Sequence, residues 1–119
     1  MPQPYLAEHF LKQLKPYTKK FRHLPEDLML ALKNFLPEQA KSLGRKLFKL
    51  RLKASDLPRG KNKSFRVIIF FWHDLQLVVP IVKYFKADIQ NLTANEIEHH
   101  LEKVVTELET RNIFPFKNK

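Results

Sequence analysis

Hydrophobic spacing changes period twice along this chain, and those changes fix the kind of fold it can adopt. Leu28, Ala31, Leu32, Phe35 and Leu36 recur at i, i+3, i+4, i+7 and i+8, which is one face of a helix. From Leu47 the period drops to two. Phe48, Leu50 and Leu52 alternate with Lys49, Arg51 and Lys53, the pattern of a strand with one face buried and the other cationic. Phe65–Trp72 and Leu75–Val82 are β-branched and aromatic runs parted at His73-Asp74, so they read as a hairpin. Pro80 is awkward in a central strand and points to a bulge or an edge. The helical period returns with Ile97, Leu101, Val104, Val105 and Leu108, behind the capping box Thr93-Ala94-Asn95-Glu96. Helices, then three strands, then a helix predict an α+β layer. Its small antiparallel sheet carries the N-terminal helices on one face, leaves the alternating cations on the other, and is followed by a C-terminal helix.

The flanking segments fit this order. Phe10, Leu11, Leu14, Tyr17 and Phe21 lie near helical spacing, interrupted at Pro16, after a short strand or extended piece near Tyr5–Leu6. Leu24-Pro25-Glu26-Asp27 opens a helix, with proline in the first turn and two acids at the positive end of the dipole. Pro37 ends that helix or starts another short one. Residues 54–63 read as a polar loop and 112–119 as a tail. At 119 residues the chain is expected to form one domain, with a core spanning about residues 5–108. A hydrophobic fraction of 44% with ten Phe is ample for that core.

Charge narrows the function. The net charge is +10, which favours polyanionic partners through counterion release and steering. From Lys41 to Arg66 there are ten basic residues against Asp56 alone, whereas Thr93 to Thr110 holds five Glu against Lys103. An ordinary solvated lysine surface would intersperse the two signs. Cysteine is absent, which excludes disulfides, thiolate metal sites and a cysteine nucleophile. The apolar runs fall far short of the roughly 18 residues that span a membrane. The N-terminus lacks the pattern of a signal peptide, so a cytoplasmic protein without a membrane partner is expected.

The strand Lys49-Leu50-Arg51-Leu52-Lys53 is the strongest candidate site. Its cations project to one side about 6–7 Å apart, a spacing that suits adjacent phosphates. Mutual repulsion within such a set disfavours full protonation and moves a lysine toward use as a base. The same pattern also describes a solvated strand face, and spacing alone does not separate the two. Arg66, inside the apolar run Phe65-Arg66-Val67-Ile68, must find an anion: a bound phosphate, or a carboxylate such as Asp56 or Asp74. Tyr84 could stack on a base and Lys86 could contact phosphate. Arg59-Gly60-Lys61-Asn62-Lys63 looks like a backbone clamp, though it matches no phosphate-loop signature. His9, His23, His73, His99 and His100 show no metal spacing, and no cofactor or metal is expected. The acids of the last helix read as solvated surface.

Taken in order, these segments resemble toxins of the RelE/HigB superfamily of toxin–antitoxin systems. The resemblance opens with Phe10-x-x-x-Leu14-Lys15, Lys19-Lys20-Phe21 and Leu24-Pro25-Glu26-Asp27-Leu28. It continues through Leu43-Gly44-x-x-Leu47-Phe48-Lys49-Leu50-Arg51-Leu52, Ser55-Asp56-x-x-Arg59-Gly60-Lys61 and Phe65-Arg66-Val67-Ile68. It closes with Tyr84-x-Lys86-x-Asp88 and the helix from Thr93 to Leu101. The chain lacks the Gly-Gly that many relatives place before the aromatic-Arg pair, having Lys63-Ser64 there, and no tyrosine follows Tyr84.

The resemblance implies a four-stranded antiparallel sheet and a metal-independent endoribonuclease that cuts translated mRNA in the ribosomal A site. The cut would proceed by attack of a ribose 2′-OH on the adjacent phosphate. It implies Lys49 as base, Arg51 as charge stabiliser, Arg66 as phosphate clamp and Lys86 at the leaving group. Lys46, Lys53, Arg59, Lys61 and Lys63 would then hold mRNA or rRNA backbone, and a cognate antitoxin would be the protein partner. The same superfamily also implies two alternatives: a ParE-like toxin that inhibits gyrase without catalysis, or a degenerate relative that only binds RNA or antitoxin.

Overall fold

The computed structural model describes residues 2–52, 65–85 and 92–113. In chain order the elements are β1 (Gln3–Pro4), α1 (Glu8–Thr18), α2 (Leu24–Lys33), a 3-10 turn (Pro37–Gln39), β2 (Lys41–Gly44) and β3 (Leu47–Leu52). They are followed by β4 (Phe65–Trp72), a 3-10 turn (His73–Leu75), β5 (Leu77–Phe85) and α3 (Ala94–Thr110). The strands form one sheet in the order β1-β5-β4-β3-β2. The four longer strands, β2 to β5, are antiparallel, and β1 joins β5 in parallel through Gln3 and Pro4.

β4 is the middle strand, which explains its composition. A strand covered on both faces needs apolar residues at every position, not at alternate ones. Phe65 through Phe71 are all buried, and the one polar interruption is Arg66. β3 keeps the foreseen alternation. Leu52, with Leu50 and Phe48, packs on Phe65, Val67, Ile69 and Phe71 against Phe10, Leu14, Leu24, Leu28 and Leu32 of α1 and α2. Leu47, Ile68, Phe70, Val79 and Val82 face the other way, against Val104 and Leu108 of α3. Helices therefore cover both faces. The second face is not left wholly to the cations, as helices on one face would leave it, because α3 lies over part of it.

Several local expectations reappear in the structure. Pro25 sits in the first turn of α2 with Glu26 and Asp27. The Thr93 hydroxyl accepts from the Glu96 amide at 3.1 Å while the Glu96 carboxylate accepts from the Thr93 amide at 2.9 Å. Pro80 adjoins a bulge, where the β4–β5 register shifts. The described sheet nevertheless has five strands, where the residue pattern foresaw three and a short strand or extended piece near Tyr5–Leu6, and the resemblance four. β1 is only two residues long, and β2 is a four-residue edge strand exposed throughout. The residues 54–63 and most of the tail lie outside the described residues.

One acid of α3 is not solvated surface. Glu107 accepts from the Tyr5 hydroxyl at 2.6 Å and from the Glu8 backbone amide at 2.8 Å. Ala7 gives α1 no side-chain cap, so Glu107 supplies from a distant helix the anion that the α1 N-terminus favours.

Candidate nucleic-acid interface

The face of the sheet that meets α3 divides into an apolar end and a cationic end. Leu47, Phe70 and Val79 are aligned across β3, β4 and β5 at the apolar end. Arg51, Arg66 and Tyr84 are aligned in the same way at the other end. Between them, Lys49 stands opposite Ile68 on one side and Lys41 of β2 on the other. Alternation along each strand places Lys41, Lys49, Arg51 and Arg66 on one face. No acid occurs in β2, β3, β4 or β5.

Burial within the row is graded. Arg51 is exposed, whereas Arg66 is 7% and Tyr84 5% exposed. Directly opposed residues have Cβ atoms about 4.5–5.5 Å apart, so the two arginines repel one another at close quarters. Burial pushes the Arg66 guanidinium below its ordinary pKa, Arg51 pushes it further the same way, and Tyr84 opposes the shift. Burial raises the Tyr84 phenol, with Arg66 acting against it. Among the described residues, Arg66 Nη1 is buried without a hydrogen-bond partner. A buried guanidinium donor ordinarily finds an acceptor, so this N–H is available to an anion entering beside Arg51.

Among the described residues, no carboxylate occupies the place. Asp74 lies in the turn beyond the opposite end of β4, and no described carboxylate forms an ion pair with Arg66. Asp56 is outside the described residues. Among the described residues, no group of three or more His, Cys, Asp or Glu could hold a metal ion.

The other foreseen site residues distribute unevenly. Lys49 shares the face of Arg51 one alternation away. Lys46 does not join them. It belongs to the β2–β3 turn at the far end of β3, where its carbonyl accepts from the Phe71 amide at 2.9 Å and its ammonium lies 5.3 Å from the Trp72 ring centroid. Tyr84 is taken up by the apolar cluster, which leaves little ring face for a nucleobase. Lys53, Arg59, Lys61, Lys63 and Lys86 lie outside the described residues. Lys41 joins the face without having been singled out: its strand is too short to show alternation.

An α+β layer whose sheet carries a cationic end on strands without acids is the class that this fold and face define. Among solved structures the chain is similar to the Escherichia coli toxin RelE in its free state, a mutant with two arginines replaced by alanine. The TM-score is 0.50 and the identity 15%, over 88% of this chain and 95% of that one. At that identity the likeness speaks for the fold, which is RelE-like. No model of a known protein family matches the chain, nor does any curated protein. Among the described residues, no helix is long and apolar enough to cross a membrane.

Proposed function

We propose that this chain is the toxin of a toxin–antitoxin pair, acting in the cytoplasm as a metal-independent endoribonuclease on mRNA in the ribosomal A site. The observation that carries the reading is Arg66: a buried guanidinium whose Nη1 is unpartnered among the described residues, aligned with Arg51, on strands that contain no carboxylate. A phosphodiester is the anion that such a pair can clamp while remaining open to reaction.

In the proposed reaction a lysine, Lys49 by position, takes the proton of a ribose 2′-OH. The 2′-oxygen bonds to phosphorus, Arg66 and Arg51 hold the charge gathering on the phosphoryl oxygens, and the P–O5′ bond breaks. A proton from Lys86 completes the free 5′-OH, and a 2′,3′-cyclic phosphate remains. Lys46, Lys53, Arg59, Lys61 and Lys63 hold mRNA or rRNA backbone. Tyr84 backs Arg66. A cognate antitoxin would neutralise the toxin by covering the cationic face.

Primer extension on a translated message, after induction without antitoxin, tests the reading. The parent should give cuts positioned by codon, and Lys49→Ala and Arg66→Ala should each lose about 10²-fold or more in rate, the scale for removing one charge stabiliser. Unchanged cleavage in both variants removes the site assignment. Filamentation with DNA damage and intact message would point instead to gyrase.

A further inference from the structure

β5 changes parity midway. Up to Pro80 it keeps step with β4: Leu77 opposite Trp72, Val78 opposite Phe71, Val79 opposite Phe70, Pro80 opposite Ile69. Ile81 is then passed over, and Val82 stands opposite Ile68. One extra residue inverts the facing of everything beyond it. The consecutive residues Ile81 and Val82 accordingly both enter the α3-side cluster, and Tyr84 follows them there.

In the unbulged register Lys83 would stand opposite Arg66, and Tyr84 would turn to the α1 side. The row would then be three cations, and like charges directly opposed are unfavourable. The bulge replaces that arrangement with a neutral phenol beside Arg66. It sends the Lys83 ammonium to the other face, 3.6 Å from the Tyr17 ring centroid.

A bulge leaves backbone groups out of the ladder, and β1 pairs with β5 only at Leu77 and Val78. Gln13 of α1 meets two of the groups beyond it. Its Nε2 donates to the Ile81 carbonyl at 3.0 Å, and its Oε1 accepts from the Lys83 amide at 3.3 Å. A side-chain amide carries the donor and the acceptor together, so one residue stands in for a neighbouring strand.

We propose that Gln13 is a positioning residue for the Arg51–Arg66 site, fixing through Ile81 and Lys83 the bulge that sets Tyr84, and not Lys83, opposite Arg66. The assignment rests on the reading of that row as a phosphate site.

The test compares the full chain with Gln13→Leu and Gln13→Glu by three measurements: exchange of the Lys83 amide, titration of the Tyr84 phenol followed by carbon NMR at Cζ, and message cleavage. Gln13→Leu should remain cooperatively folded while the Lys83 amide exchanges faster and Tyr84 titrates closer to the ordinary tyrosine value. Its cleavage should fall about 10²-fold, the scale of an approximately 1 Å misplacement. Gln13→Glu retains the acceptor for Lys83 and should fall between the two. Parent-like exchange and titration in Gln13→Leu overturn the proposal, and so does a loss of cleavage that merely follows the folded fraction. If the leucine variant does not fold, an unmoved Tyr84 titration in Gln13→Glu overturns it equally. A parent that cuts no message, with Tyr84 still shifted in Gln13→Leu, removes the phosphate site itself and leaves Gln13 a brace of the strand.

Discussion

A guanidinium taken out of water has to recover its hydration from partners, and Arg66 recovers only part of it. Leaving a buried donor unmet costs about 1–3 kcal/mol, more where the group is charged. Arg66→Met, close in length and apolar, should therefore stabilise the free protein by about 1 kcal/mol while abolishing message cleavage. A lower denaturant midpoint in Arg66→Met would show that Arg66 serves the fold. His9 and His100 give a second residue-scale expectation. Their Nε2 and Nδ1 atoms lie 2.7 Å apart, joining α1 to α3. Burial lowers the pKa of both, and Lys103 and His99 push both the same way. Lys12 and His100's own partner His9 add to this, while Glu107 opposes it at His9 and Glu96 at His100. With folded values below 6.5, the unfolded chain binds more protons as the pH falls. The stability from neutral imidazoles is thus complete above about pH 6.5 and drains away as the pH drops through the lowered values. Melting temperature should fall between pH 7.5 and pH 5 in the parent. In the double variant His9→Gln/His100→Gln the fall should be smaller, and an equal fall would place the titration elsewhere.

At the scale of elements, legibility followed length and local signal. α2, β3, β4 and α3 were plain in the sequence because each carries either a full turn pattern, an alternation or a cap. β2 was not. Its hairpin to β3 turns through Arg45 and Lys46, both at positive φ, 54° and 66°, after Gly44 at 82°. Such turns are normally announced by Asn-Gly or Asp-Gly, so Arg-Lys hides the hairpin. The Arg45–Glu98 pair at 3.3 Å and the Lys46 contact with Trp72 hold these two side chains, and neither contact has a signature in the sequence. Glu107 was illegible for the same reason: its partners Tyr5 and Glu8 are about a hundred residues away. Its contribution can be separated from that of an ordinary helix-surface acid. Glu107→Ala should destabilise by about 1–2 kcal/mol, since it removes a charged acceptor from a half-buried hydroxyl and from the α1 N-terminus. Glu102→Ala, exposed on the same helix, should stay within about 0.5 kcal/mol. Equal denaturant midpoints for the two would show that α1 does not depend on α3 for its cap.

For the molecule as a whole, alternation already placed Lys49 and Arg51 on one face, but the alignment of Lys41 and Arg66 with them was not legible. Convergence depends on strand register, and register is set by a bulge one residue long and by a turn without the usual residues. The net charge of +10 by itself predicts RNA binding of any kind. A defined face predicts more. Each phosphate neutralised on a single strand contributes about −0.7 to the slope of log affinity against log salt. Engagement of Lys41, Lys49, Arg51 and Arg66 should contribute a slope of about −3 for a short oligoribonucleotide. Lys49→Gln should make the measured slope shallower by about 0.7. Lys12→Gln removes the same formal charge from α1, away from the strand face, and should leave the slope as it was. A slope that responds equally to both substitutions would mean that RNA senses only the total charge, because a specific face releases counterions where its side chains touch phosphate and nowhere else.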